Sequence, residues 1–311
     1  MKVFYGLHSL RRPLRRPIVT IGAFDGIHKA HQFILRRIIR RAKSLGGTSV
    51  LLTFDPHPSK VLHPERPFSA LTCIEHRLHL LSRLGLDTCV VLKFTRRFSL
   101  LSADTFIQKV LVRKLGVREL WIGFDYVFGK NREGNSRLLR EYGKRYGFKV
   151  LKIPEMKFLG RRTSSTQIRK LIAEGELRKA SLFLGRPYSL YGKVVRGSGR
   201  GHRLGYPTAN LKPYHEAIPP KGVYAVKVFL SSGEKGYLGI LNIGNRPTFH
   251  EHKAVTIEVH LLDFQGDLYG RKIEVSFLKR LRPERRFVDE KALVSQIRRD
   301  EEAARSNSSR S

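Results

Sequence analysis

IVTIGAFDGIHKAHQ, residues 18–32, is the stretch that decides the fold of the first half of this chain. Its first four residues are apolar or β-branched and predict a strand, and residues 22–26 form a tight turn that contains two glycines. Apolar residues then recur at helical spacing as far as position 45, so that they would cover one face of an amphipathic helix. The expected local structure is therefore a strand, a turn and a helix.

Two histidines, His28 and His31, stand three positions apart on the expected first turn of this helix. Side chains at that spacing share a helix face and lean toward the N-terminus. We expect both imidazoles to point into the space above the turn of Gly22, Phe24 and Asp25, where free N–H groups and the helix dipole favour a phosphate. A histidine pair is more often solvated or part of a core, and a zinc site would need more ligands, so the functional interpretation depends on other motifs.

The chain has 311 residues, of which 41% are hydrophobic, and this is enough for two domains with cores of their own. The N-terminus lacks the apolar segment of a secretion signal, and no apolar run has the length of a membrane span. The sequence therefore predicts a cytoplasmic protein without a membrane partner. Its two cysteines are typical of buried thiols, and it carries no signal for an oligomeric state.

The charge is unusual, because 60 Lys and Arg residues stand against 26 Asp and Glu residues, a formal excess of +34. A field of this strength attracts anions, including nucleotides and nucleic acid. The basic residues are spread over the whole chain, which favours a generally basic surface over a dedicated nucleic-acid site. We therefore expect no nucleic acid as the primary partner, and RNA binding stays as the alternative from the class of binding proteins.

Strands and helices alternate up to residue 185, with short apolar runs at 48–54, 88–92, 120–122 and 149–153. This alternation predicts a Rossmann-like α/β domain with a parallel sheet, whose ligands bind beyond the carboxyl ends of the strands. A run of hydroxyl residues at 163–166 begins another helix. Hydroxyl residues at a helix start are usually only caps, but together with an arginine one turn later they would also grip a polyphosphate.

From residue 188 onward, short β-branched and aromatic runs separated by Gly, Asn and Pro predict an all-β domain, an antiparallel Greek-key barrel, followed by a helix that Asp289 caps. The glycine-rich basic segment 192–211 could wrap N–H groups and cations around phosphates, although a flexible hairpin is the simpler explanation. Thr208 and Asn210 place a hydroxyl and an amide oxygen on one side of an extended segment, which suits Mg²⁺. Glu258 lies in an otherwise apolar strand and could accept a proton from a substrate hydroxyl.

Eight motifs taken together resemble the bacterial bifunctional riboflavin kinase/FMN adenylyltransferases, also called FAD synthetases. Segment 205–210, followed by segment 242–248, is highly specific for riboflavin kinases, whereas segments 22–31 and 164–169 recur in other nucleotidyltransferases. The remaining motifs occupy residues 53–58, 123–129, 222–224 and 258–264. The resemblance covers the whole chain, and the expected domains are 1–185 for adenylyl transfer and 186–305 for the kinase, with a polar tail at 306–311.

For the barrel, the resemblance implies transfer of the γ-phosphate of MgATP to the 5′-hydroxyl of riboflavin, which yields FMN. Glu258 would be the base, and Thr208 and Asn210 would hold Mg²⁺ and phosphate. The loop that cradles the nucleotide would contain Gly197, Gly199, Arg200, Gly201 and Gly205.

For the first domain, the resemblance implies that FMN is joined to the α-phosphate of a second ATP, which yields FAD and pyrophosphate. His28 and His31 would stabilise charge on the phosphates. The same group would be bound by Ser165, Thr166 and Arg169, the nucleoside by Asp125, and the flavin by Phe54, Pro58 and Phe128. Ala30 stands where the family usually has glycine, so the alternative within the enzyme class is a riboflavin kinase whose first domain is inactive.

Overall fold

The computed structural model describes residues 1–158, 160–196, 205–214, 217–230, 236–245 and 255–308. The chain folds into two compact units, one made of Met1–Ala70 and Ile74–Ser165, the other of Leu71–Cys73 and Thr166–Ser311. The domain boundary expected at residue 185 stays a prediction.

The first unit is built on six strands. They are β1 (Lys2–Tyr5), β2 (Pro17–Ile21), β3 (Thr48–Asp55), β4 (Thr88–Lys93), β5 (Glu119–Ile122) and β6 (Lys149–Lys152). They form one sheet in the order β1–β4–β3–β2–β5–β6, and every neighbouring pair is parallel. The predicted parallel sheet is therefore confirmed, with one additional edge strand. The sequence analysis missed β1 because this strand has only four residues and is largely exposed.

Helices lie between the strands of this unit. They are α1 (Lys29–Ser44), α2 (Pro58–Leu62), α3 (Ile74–Arg83), α4 (Arg96–Ser99), α5 (Ala103–Thr105), which continues as a π-helix (Phe106–Lys114), and α6 (Ser136–Tyr146). A small hairpin follows, made of β7 (Lys157–Phe158) and β8 (Arg161–Arg162). Val19 packs in the core on one face of the sheet, and its neighbour Ile18 packs in the core on the other. Burial on both faces explains why the sequence of β2 is a continuous run of apolar and β-branched residues.

The strand order reverses at β2, because β3 lies on one side of it and β5 on the other. In open parallel sheets, a crevice forms outside the carboxyl ends of the strands at such a switch point, and ligands bind there. The chain leaves β2 at Gly22 and β5 at Gly123. The two loops that begin at these glycines therefore flank the expected crevice.

In the second unit, two helices precede six barrel strands. The helices are α7 (Ser165–Ala173), whose first residue belongs to the first unit, and α8 (Leu177–Leu184). The strands are β9 (Ser189–Val195), β10 (Ala209–Pro213), β11 (Gly222–Phe229), β12 (Tyr237–Asn245), β13 (Val255–Leu261) and β14 (Lys272–Arg282). They close a barrel in the order β10–β13–β12–β11–β14–β9, with antiparallel neighbours throughout. The predicted antiparallel barrel is confirmed.

Alternate residues of the barrel strands are buried, as in Leu241 and Ile243 of β12. The residues between them face outward, where the C-terminal helix α9 (Glu290–Ser308) covers part of the barrel and packs Ala304 against Ile240. Asp289 caps this helix, as predicted, by accepting a hydrogen bond from the Ala292 N–H at 2.7 Å. None of the helices in the described ranges is both long enough and apolar enough to cross a membrane.

Candidate active sites

The turn after β2 is held in an unusual backbone conformation at the carboxyl edge of the sheet. Phe24, Gly26 and Ile27 have φ angles of 50°, 82° and 42°. For residues other than glycine, this region is sparsely populated and is found mainly where the surrounding structure enforces it. The neighbouring strand supplies one such restraint, because the Thr53 hydroxyl donates to the Ala23 carbonyl at 3.2 Å.

The two histidines meet above this turn. His28 is the N-cap of α1 and precedes the helix, which corrects the expectation that it lies on the first turn. Its Nδ1 accepts a hydrogen bond from the His31 backbone N–H at 3.4 Å, so a neutral His28 carries its proton on Nε2. The two imidazole rings stack with centroids 3.6 Å apart, and the Phe24 ring lies 4.5 Å from that of His31.

His31 is the uncharged member of this stacked pair. Burial lowers the pKa of His31 well below its usual value, and the nearby charges of His28 and Arg77 act in the same direction. Within the described residues, His31 Nδ1 is buried and has no hydrogen-bond partner. At neutral pH the pair therefore offers an uncharged His31 beside the Nε2 atom of His28, which can donate to an anion.

The expected phosphate-binding residues fall partly beside this turn. Gly22 leads from β2 into it, and Asp25 is only 1% exposed. The Ser165 hydroxyl donates to the Asp25 backbone carbonyl at 2.9 Å, so this hydroxyl reaches the turn. Thr166 and Arg169 follow in α7, where Arg169 Nη1 lies 3.4 Å from Thr166 Oγ1. Their contact with phosphate stays a prediction.

Phe54 and Phe128, two of the expected flavin neighbours, lie at the ends of one chain of aromatic rings. The centroid distances are 6.0 Å from Phe54 to Phe98, 6.3 Å from Phe98 to Phe106 and 5.5 Å from Phe106 to Phe128. The chain links the end of β3 to the loop after β5 and provides an apolar surface of rings inclined to one another. Phe98 and Phe106, which lie between the ends of this chain of rings, are not among the predicted site residues, and Phe106 is buried in the core.

The remaining expected residues of this unit lie nearer the surface. Pro58 is the first residue of α2. Asp125 is exposed and forms an ion pair with Arg162, whose guanidinium lies 4.6 Å from the Phe124 ring. Lys29 Nζ lies 3.5 Å from the centroid of the Phe158 ring of β7, a cation–π contact at the start of α1. Because basic residues are abundant throughout the sequence, no sequence pattern distinguishes Lys29 or Arg162 from the other basic residues.

In the barrel, Glu258 lies on the outer face of β13. Its partners across the neighbouring strands are Asn210 of β10 and Asn242 of β12, and residues directly opposite each other share a face of the sheet. Ile257 and Val259 on either side of it are buried in the barrel. The strand therefore alternates between inner apolar and outer polar residues, which corrects the expectation that Glu258 lies in an otherwise apolar strand.

A cavity of about 310 Å³ lies against this outer face. Thr208, Asn242 and Glu258 contribute polar groups to its wall, and Ile240 of the barrel and Ile297 of α9 contribute apolar ones. The cavity is therefore bounded by strand residues on one side and by the C-terminal helix on the other. A mainly apolar cavity with a few polar groups in its wall is typical of small-molecule sites.

The helix that bounds the cavity is anchored by a largely buried ion pair. Arg282 donates from Nε and Nη2 to Asp300 Oδ2 at 3.0 and 2.8 Å, and the Gln296 amide donates to Asp300 Oδ1 at 2.8 Å. The side chains of Arg282 and Asp300 are 16% and 6% exposed.

Part of the expected nucleotide loop, namely Gly197, Gly199, Arg200 and Gly201, lies outside the described residues, as do residues 246–248 of the second kinase motif. Gly205 is described and has a φ of 80°, which favours glycine. Across the described ranges, no group of three or more His, Cys, Asp or Glu residues is placed to hold a metal ion. The expected Mg²⁺ ligands, Thr208 and Asn210, are of other residue types.

Comparison with known proteins agrees with both units. The sequence model of FAD synthetase matches residues 11–167, and that of riboflavin kinase matches residues 184–308. The bifunctional riboflavin kinase/FMN adenylyltransferase of Escherichia coli (strain K12) is 38% identical, over 98% of this chain and 97% of its own. The enzyme of the same description from Haemophilus influenzae is 37% identical, over 98% of both chains.

Among solved structures, the crystal structure of a macrolide-efflux protein from Streptococcus pneumoniae has a TM-score of 0.84 and 30% sequence identity. The match covers 98% of this chain and 99% of that one. That protein therefore shares its fold with this chain over nearly the whole length. The chain belongs to the family of bifunctional riboflavin kinase/FMN adenylyltransferases.

Proposed function

We propose that this chain makes FAD from riboflavin in two ATP-dependent steps, with one step in each compact unit. The observation that carries the proposal is the position of Glu258, which lies between two amide side chains at the wall of a cavity. The membership of the chain in its family and the stacked histidines at the start of α1 support the second step. The cytoplasmic location expected from the sequence is part of this proposal.

In the kinase step, the 5′-hydroxyl oxygen of riboflavin attacks the γ-phosphorus of ATP. The new O–P bond forms as the bond from the γ-phosphorus to the bridging oxygen breaks, and ADP leaves. Glu258 accepts the hydroxyl proton, since a positioned carboxylate can act as the base for an alcohol. The amides of Asn210 and Asn242 flank the carboxylate and help to orient it.

Thr208 and Asn210 are the proposed ligands of Mg²⁺ in this unit. A hydroxyl and an amide oxygen fit a hard cation, and Asn210 lies directly opposite the Glu258 carboxylate in the strand register. When bound, the ion would neutralise charge on the transferring phosphate. The two side chains would hold the phosphate end of ATP next to the cavity, with Thr208 in its wall.

Riboflavin is the proposed occupant of the cavity itself. The cavity volume of about 310 Å³ is at the lower end of the range for ligand pockets. The apolar wall formed by Ile240, Leu293 and Ile297 suits the flat isoalloxazine ring. The polar wall beside Glu258 suits the ribityl hydroxyls, so the reacting end of the vitamin lies next to the base.

In the adenylyl-transfer step, a phosphate oxygen of FMN attacks the α-phosphorus of a second ATP, and pyrophosphate leaves as the α–β bridge breaks. His28 Nε2–H and the N-terminus of α1 stabilise the negative charge on the phosphates. The ring chain from Phe54 to Phe128 supplies an apolar surface for the flavin. Asp125 contacts the nucleoside, and Ser165 binds the phosphates.

A single coupled assay tests both steps. The purified full-length chain is incubated with riboflavin, ATP and Mg²⁺, and FMN is resolved from FAD over time. We expect FMN to appear first and FAD to follow. If supplied FMN yields no FAD, the kinase-only alternative holds. If riboflavin is not converted and the protein instead binds RNA with a steep salt dependence, the nucleic-acid alternative holds.

Replacement of Asp300 by Asn tests the anchor of α9. Arg282 would lose its charged partner in a largely buried position, so we expect the free energy of unfolding to fall by about 1–3 kcal/mol. Because α9 forms one wall of the cavity, we also expect KM for riboflavin to rise while FAD formation from supplied FMN is unchanged. Chemical denaturation and steady-state kinetics measure the two effects.

The matched control for this change is Asp263→Asn, because Asp263 also forms a two-bond ion pair, with Arg305, but at an exposed position. Exposed ion pairs contribute little to stability, so this variant should behave like the unchanged protein. Equal effects of the two substitutions would contradict the role of Asp300 as the anchor.

A further inference from the structure

Two loops of the adenylyl-transfer site are joined to one buried cationic side chain, which has no role in the adenylyl-transfer step proposed for this unit. Arg77 of α3 is only 2% exposed. Its Nη1 atom donates to Thr53 Oγ1 at 3.3 Å and to the Phe54 carbonyl at 3.1 Å. A guanidinium is costly to bury unless its donors are used, so this position is maintained by specific contacts with the end of β3.

The hydroxyl of Thr53 extends these contacts to the neighbouring loop. It accepts the hydrogen bond from Arg77 and donates its own proton to the Ala23 carbonyl at 3.2 Å. Ala23 belongs to the turn that carries the histidines, and Phe54 begins the chain of aromatic rings. One guanidinium is therefore bonded, directly or through one hydroxyl, to both the phosphate side and the flavin side of the site.

Arg77 also acts on the histidine pair through its charge. Its field and that of His28 add to burial in lowering the pKa of His31. Asp25 is buried in the turn and Lys29 is held over Phe158, while Arg77's own helix also carries Glu75 and the buried His76, and β3 ends at Asp55. Because the two imidazoles stack at 3.6 Å, a proton on His31 would oppose a proton on His28.

We propose that Arg77 is a positioning residue for adenylyl transfer, which locks the phosphate-side turn and the flavin-side wall in one arrangement. Its charge adds to burial and to His28 in keeping His31 uncharged. An uncharged His31 leaves His28 as the ring that donates to the phosphates. The inference rests on the proposed adenylyl transfer in this unit and assigns a task to a residue that would not itself touch a substrate.

Three variants of the full-length chain separate the two tasks. Arg77→Met removes the charge and both hydrogen bonds, whereas Arg77→Lys keeps the charge but loses the forked donor geometry. Thr53→Val breaks the link to Ala23 and leaves the charge in place. FAD formation from FMN and ATP is measured for each variant across pH, together with FMN formation from riboflavin in the same preparation.

Fluorescence of Trp121 reports whether the first unit is folded, because it is the single tryptophan of the chain and lies in β5. The rate of FMN formation should be unchanged in all three variants, since Arg77 and Thr53 lie outside the barrel unit. This rate therefore serves as the internal reference for active protein.

For Arg77→Met we expect kcat of FAD formation to fall about 10²-fold and the acid limb of its pH profile to move to higher pH. For Thr53→Val we expect a loss of about tenfold with the acid limb unchanged, and for Arg77→Lys a similar loss with a profile near that of the unchanged protein. If Arg77→Met does not fold, the other two variants still decide the matter.

The inference is overturned if folded Arg77→Met retains its kcat or its acid limb. It is also overturned if Thr53→Val shifts the acid limb, or if either Thr53→Val or Arg77→Lys makes FAD at the rate of the unchanged protein. An unchanged chain that makes no FAD would overturn the proposed function first and this inference with it. The unmutated protein therefore separates the two failures.

Discussion

Replacement of Glu258 by Gln should abolish the formation of FMN from riboflavin and leave the synthesis of FAD from supplied FMN unchanged. The amide has nearly the shape of the carboxylate and can still face Asn210 and Asn242 across the strands. It cannot accept the proton of the attacking hydroxyl, and loss of a general base lowers rates by about 10²–10⁴-fold. Single-turnover assays with riboflavin and, separately, with FMN measure the two activities.

Glu274→Gln is the matched control for this prediction. Glu274 is another strand glutamate of the same barrel, but it is buried and accepts a hydrogen bond from the Ser189 hydroxyl at 2.7 Å. We expect that substitution to change stability more than chemistry. If Glu258→Gln still makes FMN at a normal rate, Glu258 is not the base, and if both activities are lost, the two units do not act independently.

His28→Asn should reduce FAD formation from FMN by about 10²–10³-fold and leave FMN formation intact. Asparagine is a good N-cap residue, so it can still accept the hydrogen bond from the His31 N–H that begins α1. What it lacks is the Nε2–H donor in the position of the imidazole. The loss therefore measures how much His28 stabilises the phosphate charge. Measurement of kcat and KM for ATP shows whether His28 contributes to ATP binding or to the chemical step.

His28→Ala separates the two roles of this residue. Alanine removes both the donor and the cap, so we expect the same loss of activity and a further loss of stability of about 0.5–2 kcal/mol. The two variants should therefore differ in thermal unfolding and agree in catalysis. A His28→Asn protein with normal adenylyl transfer would show that the stacked histidines are a structural feature only.

Much of the fold follows from residue patterns, because the strands of both units carry clear signals. β2 is buried along its whole length and reads as an apolar run, and the barrel strands are β-branched and separated by turn residues. β10 has no such signal, since it lies in a polar, glycine-rich segment and is set by its backbone pairing with β9 and β13. The residue pattern of one segment does not show which other strand that segment will pair with.

The candidate sites likewise combine residues that local motifs predict with residues that only the folded structure brings together. Local motifs predict His28 and His31 as a pair, and the structure stacks their rings, although His28 caps the helix instead of joining it. The position of Asn242 opposite Glu258 depends on how β12 and β13 are aligned, and no local pattern fixes that alignment. Arg77 reads as one more cation on a helix of a basic chain, and only its burial marks it as unusual.

The outward position of Glu258 means that the inner and outer faces of the barrel wall serve different purposes. Along a single strand, every second side chain fills the lumen and maintains the fold, while those between them form the exterior wall where a vitamin could bind. Substitutions that tune ligand preference can therefore accumulate on the exterior without disturbing the packed lumen. In evolutionary terms, this uncouples the robustness of the scaffold from the adaptability of its chemistry.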